Sequence, residues 1–510
     1  MAEKTVERSM QLSRKILSSI DPSAMRLFAL PERVLQFGTG VLLRGLPDYF
    51  IDKANRQSLF NGRIVVVKST SNGGTDAFAQ QDGLYTQLER GIENGAAVDR
   101  VMLNASISRV LSAAEEWDKI LECMNNPDLQ LIISNTTEVG IVLQESDAFT
   151  DKPASFPGRL LALLQRRYEI FEGSAESGMV IVPTELIVDN GNKLRNIVLE
   201  LAQLKQVEPK FLNWLQSANE FCNSLVDRIV PGKLPAAEQA AAEAKLGYSD
   251  ELMIMSEPYR LWAIETDNER TKNILSFSKA DGGVVLASGI NKFRELKLRL
   301  LNATHTFSCG LAHLAGFKTV KEAMKEPLFA DYLSGLMLNE IAPLITSNEI
   351  SDEEAQQFAA SVIDRFCNPY LEHLWLSICM QYTSKMAMRT VPLISQHYAN
   401  GKGVPERMAI GLAAHLLFSK PVEQRDGKWH GSCNSETYLI QDDKAAVLFD
   451  HWKAGGDEAI AKILADKALF GQDLTGFDGL AESVRQYLAA LEQRGVLKAL
   501  ASEITQKSAV

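Results

Sequence analysis

Three side chains within nine residues, Lys297, Asn302 and His305, offer a group that can hold or release a proton, an amide donor and an imidazole. Such a set suits polarising a carbonyl and moving its proton. At about 100° per residue on an α-helix they project at about 0°, 140° and 80°, with His305 between the other two. The same spacing describes a solvated polar face with a capped histidine, and by spacing alone that plain reading is the stronger. A lysine acting as a base needs burial or a cationic neighbour to bring its pKa toward neutrality. Arg294, three residues before Lys297, is placed for this, and Arg299 less well.

A second candidate is the turn Phe37-Gly38-Thr39-Gly40, which follows a strand-like run and opens a helix. Small residues there let backbone N–H groups approach a dinucleotide pyrophosphate, so Phe37, Gly38, Thr39, Gly40 and Arg44 are candidate cofactor contacts. The third glycine of the usual fingerprint is replaced by Leu43. The next strand ends Lys68-Ser69-Thr70, where an NAD site carries an acid for the ribose hydroxyls. Ser69 and Thr70 join the candidate set, NAD is the expected cofactor, and NADP stays open because Lys68 could favour a 2′-phosphate. Tyr398 and Lys402 match a YxxxK spacing, but Asn400-Gly401 breaks the helix that spacing requires. The seven histidines show no metal-ligand pattern, and no metal is expected.

The elements that must position these groups can be read from periodicity. Strand-like runs at 33–37, 63–68, 101–110, 129–134 and 179–182 alternate with helical stretches, including 113–124 and 158–171. Such alternation implies a parallel sheet covered on both faces. Residues 200–247 read as a helical elaboration, and 283–290 as the last good strand. Beyond it helical periods dominate. The expected fold is α/β, a Rossmann-type parallel-sheet domain over 1–290 followed by a mainly α-helical domain over 291–510.

Composition narrows the function. With 46% hydrophobic and 23% charged residues the chain is no disordered tail. Acidic residues outnumber basic ones by 64 to 53, a net charge of −11, which argues against a general nucleic-acid or anionic-membrane binder. A small basic pocket is still compatible with that balance. The longest apolar runs are strand-sized, and MAEKTVERSM has no apolar signal core, so a cytoplasmic, non-membrane protein is expected. The six scattered cysteines are expected as free thiols.

Several segments together resemble the polyol-specific long-chain dehydrogenases, the mannitol dehydrogenase group. They are Val34-Leu-Gln-Phe-Gly-Thr-Gly-Val-Leu-Leu-Arg44, Asp82-Gly-Leu-Tyr-Thr86, Ser134-Asn-Thr-Thr-Glu-Val-Gly140, Glu185-Leu-Ile-Val-Asp-Asn-Gly191, Val226-Asp-Arg-Ile229, Glu257-Pro-Tyr-Arg-Leu-Trp262 and the Lys297/Asn302/His305 set. The resemblance implies an NAD-dependent, metal-free oxidoreductase acting on a small molecule, within the family most like members that use a uronate or aldonate. It implies Lys297 as acid/base, Asn302 with Asn190 holding a developing alkoxide, and His305 orienting the substrate oxygen. It adds Asn135 and Thr137 to the cofactor set and His373 to the substrate set. Two departures stand out: Glu185-Leu186 replaces an Asp-Asn common in relatives, and Leu374 replaces an arginine. Lys385 and Arg389 are the candidates for a substrate carboxylate. A catalytically silent nucleotide-binding protein, the reading from another class, predicts a damaged lysine–asparagine–histidine set, which here is intact.

Overall fold

The computed structural model describes residues 10–69, 75–136, 140–434 and 436–507, with side chains to 502. The chain forms two compact units, Met1–Arg90 with Ala97–Ile290, and Gly91–Ala96 with Asn291–Val510.

In the first unit six segments pair into one sheet: Glu32–Phe37 (β1), Arg63–Lys68 (β2), Ile107–Ser112 (β3), Leu131–Ser134 (β4), Val180–Pro183 (β5) and Glu220–Phe221 (β6). Every pairing is parallel and the order is β3-β2-β1-β4-β5-β6. This is the order of the doubly wound dinucleotide-binding fold, with its switch point between β1 and β4. Parallel crossovers lay helices on both faces, so successive strand residues are buried in opposite directions. Leu35, Phe37, Val65, Val67, Ile132 and Ile181 enter one core with helices Phe156–Ile170 and Asn190–Leu204. Val34, Ile64, Val66, Leu131, Ile133 and Val180 enter the other with helix Pro47–Arg56. Both faces being apolar explains why these strands read as unbroken hydrophobic runs.

Three expectations are corrected. The run 101–110 is two strands, Ala96–Asn104 and β3, because the Ala105 N–H turns to the Asp52 carboxylate at 2.8 Å and the Ser106 N–H to Asn104 Oδ1 at 2.9 Å. The helical stretch 200–247 is interrupted between Pro209–Ser217 and Ala236–Leu246 by β6 and by Ser224–Asp227, which lies antiparallel to Leu261–Glu265. Strands also recur after 290: Glu423–Arg425, Lys428–Cys433 and Glu436–Leu439 form an antiparallel sheet. Its first turn is Asp426-Gly427, with φ of 49° and 73°, a hairpin signal the helical surroundings concealed.

The rest of the described residues after 290 are mainly helical. Thr304–Leu314 packs on Glu406–Phe418, which packs on Leu480–Arg494. The middle helix is buried almost all round, as a helix apolar on every side must be. Pro327–Ile345 is long and apolar enough by composition to cross a membrane, and 61% of it is buried within the protein. Helices leave α winding for one π turn at Lys297–Ala303, Leu336–Ile341 and Met386–Thr390.

One buried acid marks the first unit. Asp48, in the first turn of Pro47–Arg56, is wholly buried; its Oδ2 accepts from Gln36 Nε2 at 3.4 Å and its Oδ1 has no partner among the described residues. Burial pushes its pKa up to about 8, with Gln36 and the Arg44 charge opposing only in part. The native state therefore keeps a proton that the unfolded chain loses above its ordinary value of 3.8, so this group's contribution to stability falls as pH rises from there to about 8. Asp48→Asn, which carries no charge to bury, should be more stable than the parent at pH 8. The gap should widen by about 1–4 kcal/mol between pH 5 and pH 8 at about 1.36 kcal/mol per pH unit, read by denaturant unfolding at each pH. A gap independent of pH would mean that Asp48 is not held protonated.

Candidate active site

At the switch point the glycine turn is built by the ends of β1, β2 and β4. The Gly38 N–H donates to the Val67 carbonyl and the Asn135 N–H to the Phe37 carbonyl, each at 3.0 Å. Gly38 has φ +127°, and a Cβ there would sit 2.8 Å from Leu43 and 3.0 Å from the Asn135 carbonyl. Gly40 differs. A Cβ on it would meet no atom of the described residues within 4 Å, and its backbone is extended. Gly38 is thus required by the turn itself, whereas the space at Gly40 is open to a ligand, which fits a dinucleotide pyrophosphate.

Other residues expected at the cofactor are placed unevenly. Thr39 is half-buried beside the open glycine, and Ser69 at the end of β2 has a buried Oγ without a partner among the described residues. Thr70 and Thr137 lie outside the described residues. The Phe37 side chain is in the core, its ring 4.9 Å from that of Phe156. Arg44 is buried too: its guanidinium donates to the Leu252 carbonyl and lies over the rings of Phe78 and Tyr85, at 5.7 and 5.4 Å. Both side chains serve the interior, so Phe37 can reach a cofactor only through its backbone, and Arg44 is corrected from phosphate contact to core cation.

Asn135 donates from its amide to the Thr184 carbonyl and hydroxyl, at 3.1 and 3.0 Å, joining the loop after β4 to the end of β5. The partner in this junction is Glu185, which the sequence marked only as a departure and gave no role. Its buried carboxylate accepts from the Thr136 N–H and Oγ at 2.8 and 2.9 Å and from Ser134 Oγ at 3.1 Å. Burial raises its pKa despite these bonds. The available signal was an acid directly after a buried strand, where a charge persists only if something donates to it.

Asn190 was expected to hold an alkoxide, and the structure corrects this. Its wholly buried amide donates to the carbonyls of Pro183, Glu185 and Ser224, at 3.1, 3.0 and 3.1 Å. Its Oδ1 accepts from the N–H groups of Gly191 and Ser224, both at 2.9 Å. An amide with two N–H groups and both already bonded has none left for a substrate.

The second unit carries the other group. Lys297 and Asn302 lie within the π turn Lys297–Ala303, and His305 follows on the helix Thr304–Leu314. A π turn advances less per residue than an α-helix and joins residue i to i+5. Lys297 and Asn302, five apart, therefore come round toward the same side instead of standing about 140° apart. The Asn302 side-chain amide makes no hydrogen bond to the described residues, so both its N–H groups can serve a ligand. Arg294 donates to Asn291 Oδ1 at 2.8 Å, and Arg299 to Glu295 at 3.1 Å.

His305 is buried, stacked on Phe366 with centroids 4.3 Å apart, and edge-on to His373 at 5.1 Å and Trp375 at 5.9 Å. Its Nε2 has no partner among the described residues. Burial holds its pKa well below the ordinary value, helped by His373, Arg365, Arg389 and Lys385. The imidazole is therefore neutral in a field set by cations. Lys385, its pKa lowered by burial and by Arg389, donates to the Ile378 carbonyl at 2.9 Å. Arg389 gives one of its five N–H groups to Thr306 Oγ at 3.4 Å. Lys385, Arg389 and His373 are thus brought around His305, and Arg365 is a cation that sequence reasoning missed, hidden among the charges of the helix Asp352–Phe366.

Two family models match the chain, the mannitol dehydrogenase Rossmann domain over residues 32–276 and the mannitol dehydrogenase C-terminal domain over 289–492. The chain belongs to the mannitol dehydrogenase family. It is 35% identical to an altronate oxidoreductase of Halalkalibacterium halodurans over 97% of this chain and 98% of that one. It is 37% identical to that of Bacillus subtilis, over 92% and 95%. Among solved structures its fold is similar to mannitol 2-dehydrogenase of Pseudomonas fluorescens, a ternary complex with NAD and D-mannitol, with TM-score 0.66, 22% identity and coverage of 97% and 100%. A D-sorbitol dehydrogenase in substrate-free form has TM-score 0.78, 20% identity and coverage of 96% and 100%. Membership in this mannitol dehydrogenase family makes the chain an oxidoreductase with an NAD(P)-binding first unit.

The two glycines of the turn predict opposite outcomes. Gly40→Val should fold as the parent does and bind NADH or NADPH about tenfold or more weakly, since crowding a filled site costs about 1–3 kcal/mol. Gly38→Ala should lower the melting temperature, because the strain of a positive φ and a close carbonyl falls on the protein itself. Unchanged dinucleotide affinity in folded Gly40→Val, measured by calorimetric titration, would remove the pyrophosphate from this turn.

Proposed function

We propose that this chain interconverts a hexuronate and its aldonate, reducing tagaturonate to altronate with NAD as the redox partner. The observation that carries the reading is the set of cations around a neutral His305. A substrate carboxylate needs donors that are charged and not yet committed, and Arg389 with Lys385 offers them. A neutral polyol would leave those charges facing hydroxyls. The altronate oxidoreductases among its relatives support the same substrate class, and the NAD of the Pseudomonas complex supports the cofactor.

The turn Gly38–Gly40 would hold the dinucleotide, which would supply hydride for reduction of the keto carbon and take it up in the reverse direction. The protein's part is charge and proton management. Reduction builds negative charge on the carbonyl oxygen, which the Asn302 amide N–H groups can meet already oriented. Lys297, on the same side of the π turn, gives that oxygen its proton and takes it back in the reverse direction. Neutral His305 hydrogen-bonds the substrate through Nε2 without adding charge at the reacting atom. Reduction of fructuronate to mannonate presents the same carboxylate and differs only in stereochemistry.

Absorbance of NADH or NADPH with tagaturonate, fructuronate and fructose separates these readings. Tagaturonate with NADH should be fastest, and a parent that prefers fructose would overturn the uronate reading. Arg389→Ala should weaken tagaturonate binding by about 1.5–3 kcal/mol, the range for hydrogen bonds to charged groups. Lys297→Ala should lower kcat by roughly 10²–10⁴ with cofactor affinity nearly unchanged. In alcohol oxidation the parent's rate should rise with pH through one ionisation, because the base must first lose its proton, and that step should vanish in Lys297→Ala. Near-parental kcat with the same pH profile would assign the base to another residue.

A further inference from the structure

The π turns Lys297–Ala303 and Met386–Thr390 lie against each other. Arg299 Nη1 donates across to the Arg389 carbonyl at 2.9 Å, so the backbone carrying Arg389 is tied to the turn carrying Asn302. A second tie runs through Thr306, which is wholly buried. Its hydroxyl gives its proton to the Asn302 carbonyl at 2.7 Å, and the same oxygen accepts from Arg389 Nη1 at 3.4 Å. A helical threonine often bonds to the carbonyl four residues back. Here that bond also orients the lone pair toward the arginine. With its one proton already given to Asn302, the hydroxyl can only accept from Arg389.

We propose that Thr306 is a positioning residue that sets the carboxylate-binding guanidinium of Arg389 at a fixed offset from the amide of Asn302. This rests on the uronate reading for the identity of the anion. A carboxylate seated on Arg389 then delivers the reacting carbonyl to Asn302 and Lys297, so the anion's binding energy acts on turnover as well as on affinity. Thr306 touches neither substrate nor reacting atoms. It works through the two residues that do.

The test is a double-mutant cycle between Thr306→Val and Arg389→Ala on the full-length enzyme, with kcat and KM measured for tagaturonate and for fructose. Thr306→Val should lower tagaturonate kcat/KM by about 10- to 100-fold, the equivalent of one hydrogen bond to a charged group, with a fall in kcat and a small change for fructose. Thr306→Ser, which keeps the hydroxyl, should restore most of the loss. In the Arg389→Ala background Thr306→Val should cost little more, as coupled residues do. Additive losses, equal losses on both substrates, or failure of serine to rescue would reduce Thr306 to a packing residue and overturn the proposal. Should Thr306→Val not fold, Thr306→Ala replaces it in the same cycle. A parent that prefers fructose overturns the uronate reading, whereas a parent that prefers tagaturonate with additive losses overturns the positioning role alone.

Discussion

Every N–H that a fold takes out of water needs an acceptor, since an orphaned donor costs about 1–3 kcal/mol. In this protein that requirement separates the polar residues that hold the structure from those left for a ligand. Asn190 and Asn302 share a chemistry and differ in outcome. The first makes five hydrogen bonds that join the end of β5, the loop after it and the strand Ser224–Asp227, while the second keeps its amide open to the described residues. Arg44 and Arg389 divide in the same way, one turned onto a carbonyl and two aromatic faces, the other keeping most of its N–H groups available.

The same rule shapes the loops of the first unit. The end of β4 must leave the sheet with its backbone near β1 and β5, and Glu185 receives the N–H and hydroxyl groups released there. Leu186, which follows that carboxylate, is 62% exposed. Position 186 thus carries an exposed apolar side chain, and in the proposed mechanism the amide donor is Asn302. In the second unit the charges of Arg365, Arg389 and Lys385 act on His305, which burial keeps neutral.

A helix with uniform α winding would not suit that arrangement. Residues five apart stand on different sides of an α-helix, whereas the proposed mechanism needs Lys297 and Asn302 to reach the same oxygen. One π turn brings Lys297 and Asn302 toward one side while leaving His305 on an ordinary helix with its ring stacked on Phe366. A second π turn carries Arg389, and Arg299 and Thr306 bond the two together.

Much of this was legible in the residues. Unbroken runs such as Ile64, Val65, Val66 and Val67 specify strands buried on both faces, because only a sheet covered twice can use them all. The glycine turn, the Lys297/Asn302/His305 spacing and the change to helical periods near 290 are likewise local patterns, set by backbone sterics and by which face must leave water. What the sequence could not decide was satisfaction. Whether Asn190 has a free N–H depends on the carbonyls of Pro183 and of Ser224, the latter 34 residues away and brought close only when Ser224–Asp227 is in place. Whether Lys297 and Asn302 share a side depends on a π turn that no residue type demands. Whether Arg365 acts on His305 depends on how Asp352–Phe366 docks. Periodicity is a property of neighbours along the chain, but hydrogen-bond partners and electric fields belong to neighbours in space, and only the tertiary structure names those.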